Sequence, residues 1–335
     1  MNYEMVGIGN ALVDIQVKVD DEFIKKLGVA KGGMTLAESD YQSRVLENLS
    51  DHSQKISSGG SAANTIHGVG VLGGSVYYLG RVANDVYGRH YSEDMKACGV
   101  GFPGPGAETN GTGVSVVLIT PDSQRTMITH LGISAALHAD NVDETIVHAA
   151  KMVYIEGYLW TGDETRAAAL KMAEIAKKED IPVAFTLSDV FVANQFKDEL
   201  VDFIRWHVDI LFCNETEALA LTDAADAADA SVALQGMADT MFLTLGGKGA
   251  LAGQVDGNPI AVKAFAARAV DTTGAGDLFA AGALYGLLRK HDLEESAIIG
   301  SYCAGQVVSH LGARMPVHAH TSVPKILKQY RELDD

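Results

Sequence analysis

The second half of the chain alternates short apolar runs with longer amphipathic ones, and this alternation is the feature that most restricts the fold. It predicts strands at 152–155, 182–186 and 209–212 and helices at 142–149, 164–177 and around 198–205. Because strands that alternate with helices form βα units, we expect a mostly parallel sheet covered by helices on both faces. Ligands of such sheets bind at the carboxyl ends of the strands, so the residues that follow each strand are the first candidates for a site.

Residues 271–277 read DTTGAGD and open an apolar run. The small residues Gly274, Ala275 and Gly276 predict the first turn of a helix, where unpaired amides and the helix dipole favour an anion. Beside a bound phosphoryl group, the carboxylate of Asp277 could accept the proton of an attacking hydroxyl. The structural alternative is a helix that merely has an acidic first turn. Two glycines, two threonines and two aspartates exceed what capping requires, which favours the functional interpretation.

The charge balance restricts the class of partner. The 335 residues include 26 basic and 43 acidic ones, a formal net charge of −17 that argues against nucleic acid or an anionic membrane as partner. We find no apolar segment that approaches the length of a membrane span, and residues 1–4 lack the features of a signal peptide. Three cysteines without C-x-x-C spacing fit a reducing compartment, so we expect a cytoplasmic protein.

The first half of the chain contains two further candidate segments. The apolar run 5–14 predicts one buried strand that ends at Asp14, a residue that could bind a ligand or form a turn. This run does not complete the G-x-G-x-x-G pattern of a dinucleotide site. Further on, Gly59 and Gly60 precede a helix predicted at 65–72, and Asn64 would lie beside their exposed amides. A flexible loop in which Ser61 caps the helix is the alternative.

Polar residues also follow two strands of the second half. Asn214 and Glu217 have the spacing of a capping box, and on the residues alone this structural interpretation has equal weight. At the rim of a phosphate site, their oxygen atoms could instead hold Mg²⁺ through water. The glycine turn at 246–249 lacks the G-x-x-x-x-G-K-[ST] pattern of a Walker loop.

Alternating runs at 15–19, 114–120 and 126–131 predict a second, smaller sheet, with 15–19 half exposed. Residues 121–124 form a hairpin-like turn in it, and Arg125 lies at this hairpin. A small sheet over a site could act as a lid that excludes water during a transfer reaction. Its strand edges could also pair with a second subunit, so a homodimer remains open.

In chain order, these motifs resemble those of the ribokinase-like (PfkB) family of carbohydrate and nucleoside kinases. The correspondence runs from Asp14 to Gly312, and its motifs are G-G-x-x-x-N at 59–64, G-x-x-x-x-D-x-x-G at 80–88, N-x-x-E at 214–217, T-x-G-x-x-G at 244–249 and the segment 271–277. The resemblance implies a single ribokinase-like α/β domain over 1–335. In this domain a central, mostly parallel sheet carries helices on both faces, and a small β-sheet lid comes from about 15–35 and 102–132.

The resemblance also implies a role for each candidate residue. The residues expected to bind the acceptor are Asp14, Gly59, Gly60, Asn64 and Tyr158. Those expected at the transferred phosphoryl group are Asp277 as general base, the amides of Gly274, Ala275 and Gly276, and Arg125. Those expected at ATP are Asn214, Thr244, Gly246 and Gly249. Mg²⁺ would be held through water by Asn214 and Glu217, and a monovalent cation, expected to be K⁺, by Asp271 and Thr273 with carbonyls near Gly312.

The expected reaction is ATP-dependent phosphoryl transfer to a primary hydroxyl. The segment 208–218 looks most like the adenosine-phosphorylating members of the family, which favours the 5′-hydroxyl of adenosine over a free sugar. Tyr158 would stack on the purine, or else be an ordinary core tyrosine, and Glu156 could contact a sugar or a base edge. Two alternatives from other classes are a binding sensor that has lost catalysis and a dinucleotide oxidoreductase. Asp277, the glycine run and the Asn214–Glu217 pair disfavour the sensor, and the incomplete glycine pattern at 7–9 disfavours the oxidoreductase.

Overall fold

The computed structural model describes residues 2–106, 110–122, 124–315 and 322–333. Its strands are β1 (Met5–Ile8), β2 (Leu12–Lys18), β3 (Met34–Leu36), β4 (Gln54–Gly59), β5 (Val76–Leu79), β6 (Gly113–Ile119), β7 (Arg125–His130), β8 (Val153–Glu156), β9 (Val183–Thr186), β10 (Ile210–Asn214), β11 (Thr240–Thr244), β12 (Ala250–Gln254) and β13 (Ile260–Val262). Its helices are α1 (Asp21–Leu27), α2 (Ser39–Asn48), α3 (Ser61–Val71), α4 (Val86–Ala97), α5 (Glu144–His148), α6 (Asp163–Lys178), α7 (Val190–Gln195), α8 (Lys197–His207), α9 (Glu215–Thr222), α10 (Ala227–Gln235), α11 (Ala275–Leu288), α12 (Leu293–Val307) and α13 (Val323–Arg331).

Eight strands form the central sheet, in the order β13-β12-β11-β10-β9-β8-β1-β5. The strands from β11 to β5 run parallel to one another, whereas β12 and β13 are antiparallel at one edge. The mostly parallel sheet that the strand–helix alternation predicts is therefore confirmed. Among the residues described, no helix is both long and apolar enough to cross a membrane.

Helices cover both faces of this sheet because successive residues of a strand point to opposite sides. In β8, Val153 and Ile155 contribute to a core that also contains residues of α6, α8, α9 and α10. Tyr154, between them, contributes to the opposite core, which contains residues of α3, α11 and α12. The apolar runs of the second half are thus buried on both sides, as expected for parallel strands.

Five strands form a smaller sheet, in the order β3-β7-β6-β2-β4. Its apolar residues, such as Ile15 and Val116, pack with residues of α1 and α2 on one face. The intervening residues Asp14, Ser115 and Thr129 point to the other face, where they line a cavity. The strands predicted at 114–120 and 126–131 are confirmed as β6 and β7.

The prediction that 5–14 is one strand is wrong. β1 ends at Ile8 in the central sheet, and β2 begins at Leu12 in the smaller one. Between them, Asn10 N donates a 2.7 Å hydrogen bond to Glu156 Oε1, which holds the chain where it leaves the central sheet. Asp14 therefore lies within a strand of the smaller sheet and not at the end of a central strand.

Four other expectations also need correction. Residues 15–17, expected to be half exposed, are buried because β2 is an interior strand between β6 and β4. The smaller sheet also includes residues 12–14, the start of β2, and residues 54–59, which form β4, and both lie outside the predicted lid segments. Helix α3 begins at Ser61, four residues before its predicted start. Helices α1, α7 and α13 were not predicted. Within the loop predicted at 101–113 and the turn at 121–124, residues 107–109 and 123 lie outside the described residues.

Candidate active site

A cavity of about 420 Å³ lies between the smaller sheet and the carboxyl ends of the central strands, and this volume is typical of small-molecule sites. Residues of β2, β6 and β7 line one wall, and residues at or just beyond the ends of β8, β9, β10 and β11 line the other. The candidate residues that line the cavity are Asp14, Gly60, Asn64, Arg125, Tyr158, Asn214, Glu217, Thr244, Gly246, Thr273, Gly274, Ala275, Gly276 and Asp277.

Three candidate residues lie behind the cavity wall. Gly59 is buried next to Asp14, and a Cβ atom at this position would lie 2.4 Å from Asp14 Oδ2, so the glycine makes room for that carboxylate. The Gly249 carbonyl accepts a 2.8 Å hydrogen bond from Leu245 N in the turn before β12. Asp271 is fully buried. These residues shape the site without lining the cavity.

The amino end of α11 opens into the cavity. Gly274 precedes the helix with a φ of 75°, and a Cβ atom there would lie 2.4 Å from Ala313 O, so the position requires glycine. Ala275 N donates to Thr272 O at 3.3 Å, whereas Leu278 N donates to Gly274 O at 2.8 Å as the first helical bond. The N–H groups of a first helical turn have no acceptor within the helix. An anion in the cavity could therefore bind at this helix end.

Asp277 lies in the first turn of α11, where two side chains of α3 hold its carboxylate. Ser61 Oγ donates to Oδ1 at 2.7 Å, and Asn64 Nδ2 donates to Oδ2 at 2.9 Å. Burial raises the pKa of Asp277, while the hydrogen bonds from Asn64 and Ser61 and the positive charge of Arg125 lower it. From the sequence, Ser61 is a candidate helix cap only. Its role as a partner of Asp277 depends on a contact between distant segments that no local pattern indicates.

The close packing of α3 on α11 makes these contacts possible. A Cβ atom at Gly68 would lie 2.7 Å from the Cβ atom of Ala281, so the glycine lets the two helices approach closely. Nearer the cavity, Thr65 Oγ1 donates to Asp277 O at 3.1 Å. The amino ends of the two helices therefore meet at the carboxylate of Asp277.

Asp14 faces the cavity from β2 and is only 6% exposed. Within the part of the chain that the structure describes, its carboxylate accepts no hydrogen bond. Burial raises the pKa of Asp14 to about 7, against the opposing positive charges of Arg314 and Arg125. A buried carboxylate without donors is energetically costly, so this one is suited to receive donors from a ligand.

Glu156, at the end of β8, was only an open candidate in the sequence and proves to be a fully buried centre of hydrogen bonds. Its Oε1 accepts from Asn10 N at 2.7 Å and Nδ2 at 3.1 Å, and its Oε2 accepts from Ala62 N at 2.7 Å. Ser134 Oγ extends the cluster by donating to Asn10 Oδ1 at 3.1 Å. Burial raises the pKa of Glu156 to about 7. The cluster joins the β1–β2 connection to the start of α3.

Tyr158 lies just beyond β8 and lines the cavity. Its hydroxyl donates to Asp189 Oδ2 at 3.2 Å, and its ring lies tilted against that of Phe191, with the centroids 6.2 Å apart. Because Asp189 holds the hydroxyl, the ring has a defined position at the cavity wall. Asp189, which follows β9, also lines the cavity, as expected for a residue just beyond the end of a parallel strand.

Asn214 and Glu217 form a complete capping box at the start of α9. Glu217 N donates to Asn214 Oδ1 at 2.9 Å, while Asn214 N and Nδ2 donate to the Glu217 carboxylate at 3.0 and 2.6 Å. Burial raises the pKa of Glu217 to about 7. The structural interpretation of this pair is thus realised, and both residues nevertheless line the cavity. Their oxygen atoms are already hydrogen-bonded, so the pair fits Mg²⁺ held through water better than Mg²⁺ bound directly.

Asp271 ties the segment before α11 to the loop after α12. Its Oδ1 accepts from Thr273 N at 2.9 Å and from Thr273 Oγ1 at 2.5 Å, and its Oδ2 accepts from Gly312 N at 2.9 Å. These three donors are uncharged groups around a fully buried carboxylate. Such a carboxylate is suited to a cation, which fits the monovalent-cation site that the family resemblance implies here.

The remaining candidates lie at opposite walls. Arg125 begins β7 on the smaller sheet, and its positive charge lowers the pKa values of both Asp14 and Asp277. Thr244 ends β11, and Gly246 begins the short 3-10 helix Gly246–Lys248 that follows. A ligand in the cavity therefore lies between a cationic side chain from the smaller sheet and the strand ends of the central one.

Fold and cavity together define an α/β enzyme in which a carboxylate lies beside the amino end of a helix, where an anion could bind. Residues 33–320 match the sequence profile of the pfkB family carbohydrate kinases. The chain is 29% identical to the adenosine kinase of Saccharomyces cerevisiae over 336 residues, which cover 94% of this chain and 98% of the yeast protein. It is 31% identical to the guanosine-inosine kinase of Escherichia coli K12 over 261 residues, which cover 72% of this chain and 58% of that protein.

A solved structure agrees with these relatives. The adenosine kinase of Sinorhizobium meliloti superimposes with a TM-score of 0.91 at 35% identity, over 98% of this chain and 99% of that one. The chain therefore belongs to the PfkB family of carbohydrate and nucleoside kinases. It is an ATP-using kinase of the nucleoside and sugar class, similar to adenosine kinases. The sensor and oxidoreductase alternatives are set aside.

Proposed function

We propose that this kinase transfers the γ-phosphoryl group of ATP to the 5′-hydroxyl of a nucleoside, with adenosine as the preferred acceptor. The observation that carries the proposal is that Asp277, Asp14 and the amino end of α11 face one cavity. The cavity thus combines a base, an acceptor-binding carboxylate and an anion-binding helix end.

Asp14 is suited to bind the hydroxyl groups of the acceptor. Its carboxylate faces the cavity, is almost fully buried and accepts no hydrogen bond from the described residues. The hydroxyls of a ribose ring would provide the missing donors, and hydrogen bonds to a charged group are among the stronger ones in proteins. Gly60 and Asn64 line the same cavity as Asp14 and would complete the acceptor site.

Asp277 is the general base in this proposal. Its carboxylate takes the proton of the 5′-hydroxyl while the hydroxyl oxygen forms a bond to the γ-phosphorus. The bond between that phosphorus and the β–γ bridging oxygen breaks, and ADP leaves with the bonding electrons. The amides of Gly274, Ala275 and Gly276 stabilise negative charge on the group in transfer, and Arg125 adds a positive charge from the opposite wall.

ATP would lie along the carboxyl edge of the central sheet, near Thr244, Gly246 and Asn214. Gly249 would act from behind by shaping the turn. Glu217 and Asn214 would hold Mg²⁺ through water, since the capping box already engages their oxygen atoms. When bound, Mg²⁺ supplies positive charge against the phosphate oxygens.

K⁺ is the proposed activator, held near Asp271, Thr273 and the Gly312 loop. Gly274 contacts Ala313 in this loop, so a cation there would stabilise the backbone that presents the amino end of α11. Replacement of K⁺ by a cation too large to enter, such as tetramethylammonium, is expected to lower kcat.

The acceptor is proposed to be a nucleoside because an anchored aromatic ring, that of Tyr158, faces the cavity. A purine can stack on such a ring, whereas a free sugar makes little use of it. The adenosine kinases of Saccharomyces cerevisiae and Sinorhizobium meliloti, with which this chain aligns almost end to end, support adenosine. The Escherichia coli guanosine-inosine kinase makes other purine nucleosides the acceptors to compare.

A coupled ADP-release assay with ATP, Mg²⁺ and K⁺ tests the proposal. The acceptors are adenosine, inosine, guanosine, ribose, fructose and fructose 6-phosphate. We expect the highest kcat/KM with adenosine. A higher value with guanosine or inosine would correct the base, and a higher value with a free sugar would overturn the nucleoside assignment. Absence of ADP release with every acceptor would contradict the reaction itself.

A further inference from the structure

One buried cation, Arg314, lies behind the cavity in the loop after α12, with a side chain that is only 10% exposed. Its Nε donates to Asn64 Oδ1 at 3.3 Å, and its Nη1 donates to Asp94 Oδ2. Its guanidinium lies over the ring of Tyr91, 5.4 Å from the centroid. Arg314 does not line the cavity, yet Asn64 connects it directly to Asp277.

We infer that Arg314 is a positioning residue for the general base: it orients the side-chain amide of Asn64 so that the amide donates to Asp277. This inference rests on the role proposed above for Asp277. It adds a residue from the C-terminal loop that acts on Asp277 through the side chain of Asn64.

Two partners determine the orientation of the Asn64 side-chain amide. Its oxygen accepts from Arg314, and its nitrogen donates to Asp277. A flipped amide would place the oxygen against the Asp277 carboxylate and the NH₂ group against the guanidinium, so both contacts would become repulsive. Two partners of opposite charge therefore define one orientation, whereas Asp277 alone would hold the amide at one end only.

Arg314 is itself held in place by two side chains of one helix. Its partners Asp94 and Tyr91 both belong to α4, a helix that contributes no residue to the cavity lining. Tyr91 is fully buried, and its hydroxyl donates to Gly59 O at 3.2 Å at the end of β4. Stacking of a guanidinium on an aromatic ring and its pairing with a carboxylate both restrict its position. Helix α4 thus supports the site from a distance.

A group of potential metal ligands lies beside Arg314. His67, Asp94 and Cys98 have donor atoms within 4.8 Å of one another. Arg314, however, already pairs with Asp94. Burial, as the larger cause, and the positive charge of Arg314 lower the pKa of His67 to about 3. A divalent cation would have to enter beside this guanidinium. We therefore assign the polar cluster to the anchoring of Arg314 and not to a metal.

The inference has a readout that a merely structural role would not produce. Hydrogen bonds from Asn64 and Ser61 lower the pKa of Asp277 against burial, which raises it. A base must be ionised, so loss of the Asn64 donor would move the acid limb of the transfer rate to higher pH. The other charged side chains that act on or near Asp277 are Arg125, Asp14, Glu156 and Glu217, and all four are retained in every variant. Loss of the Arg314 charge would also raise the pKa of Asp14, whereas Arg314→Lys keeps that charge.

The experiment measures single-turnover rates against pH, at saturating ATP and acceptor, for Arg314→Gln, Asn64→Ala and the double variant. Asn64→Ala should move the acid limb up by about one pH unit, since a hydrogen bond to a charged group contributes about that much. Arg314→Gln should move it in the same direction by less. In the double variant, Arg314→Gln should add nothing to the shift of the acid limb caused by Asn64→Ala, because Arg314 acts on Asp277 through Asn64.

Arg289→Gln is the matched control. Arg289 likewise pairs with a carboxylate, that of Glu4, and lies 4.7 Å over a tyrosine ring, that of Tyr285, but at the far end of α11. The substitution Arg289→Gln should leave the acid limb of the pH–rate profile unchanged. If Arg314→Gln melts below the assay temperature, Arg314→Lys gives the same comparison, because an ammonium group lacks the planar fork that reaches Asn64 and Asp94 together.

Two results would overturn the inference. One is an acid limb in Arg314→Gln identical to that of the wild type. The other is a shift of the acid limb by Arg314→Gln that is equally large in the wild-type and the Asn64→Ala backgrounds. A wild-type protein that phosphorylates no acceptor would instead contradict the proposed function. In that case a ¹³C NMR titration of the Asp277 carboxyl carbon, assigned by its loss in Asp277→Asn, still tests whether Arg314→Gln raises the pKa of Asp277.

Discussion

Asn64 Nδ2 donates a 2.9 Å hydrogen bond to Asp277 Oδ2, although 213 residues separate the two along the chain. Ser61, in the first turn of the same helix as Asn64, donates to the other oxygen at 2.7 Å. The carboxylate is thus held on both oxygens by α3, while the backbone of α11 sets its place at the cavity. This arrangement places a buried carboxylate, the proposed general base, beside the amino end of α11, where an anion could bind.

Replacement of Asp14 by asparagine is expected to weaken acceptor binding and leave ATP binding unchanged. Because the carboxylate is proposed to accept hydrogen bonds from the acceptor hydroxyls, KM for adenosine should rise roughly 10- to 100-fold at pH 8. The folded pKa of Asp14 is about 7, so in the wild type KM should also rise as pH falls through 7. Asp14→Asn should lose this pH dependence. Steady-state kinetics from pH 6 to 8.5 measure both effects, and an unchanged KM for adenosine would contradict the acceptor role.

Gly274 and Gly276 form a matched pair for the geometry of the α11 end. Gly274→Ala places a Cβ atom 2.4 Å from Ala313 O at a φ of 75°, so it should lower stability by at least about 1–2 kcal/mol and reduce kcat. A Cβ atom at Gly276 would meet no atom within 4 Å, so Gly276→Ala should keep the wild-type Tm. Thermal melts and ADP-release rates provide the comparison. Equal Tm values for the two variants would contradict the account of this turn.

Tyr158 is expected to contribute to binding of the base and not of the sugar. Tyr158→Ala should raise KM for adenosine roughly 10-fold through loss of the aromatic surface. Its effect on KM for ribose should be small. Tyr158→Phe keeps the ring and loses only the hydrogen bond to Asp189, so it serves as the control. A parallel rise of both KM values in Tyr158→Ala would show that the ring does not contact the base.

Glu156 should make the folded state less stable as pH rises. Its pKa is about 7 in the folded protein against an ordinary value of 4.5, so the folded state binds more protons between these values. The corresponding stability is fully present below about pH 4.5 and is lost as pH rises through 7. Between pH 5.5 and 8 this loss should be about 2 kcal/mol, and Glu156→Gln should remove it. Urea denaturation at the two pH values measures the difference. An equal pH dependence in both proteins would contradict the assignment.

The sequence predicts the central sheet well because the information is local. Apolar runs such as 183–186 are buried on both faces, and the amphipathic helices between them keep their own period. The start of α11 is equally local, since the small residues before Asp277 favour a helix end whatever surrounds them. The residues that line the cavity from the central sheet and from α11 follow from these two features and from the rule that ligands bind at the strand ends.

Features that depend on distant partners are the ones that sequence reasoning misses. The run 5–14 has no local signal for its division, because the break comes from the contact of Asn10 with Glu156, 146 residues away. β4 reads QKISSG and lacks a regular apolar alternation, so only its pairing with β2 makes it a strand. Arg314 is likewise one basic residue in a glycine-containing loop until the fold brings it to Asn64.

The most direct test of the account is the rate of phosphoryl transfer in Asp277→Asn. Asparagine keeps the size of the side chain and can still occupy the space between Ser61 and Asn64, but it cannot accept a proton. We expect single-turnover transfer to adenosine to fall about 10²- to 10⁴-fold, with the affinity for ATP preserved. A transfer rate close to that of the wild type would contradict the role of Asp277 as general base.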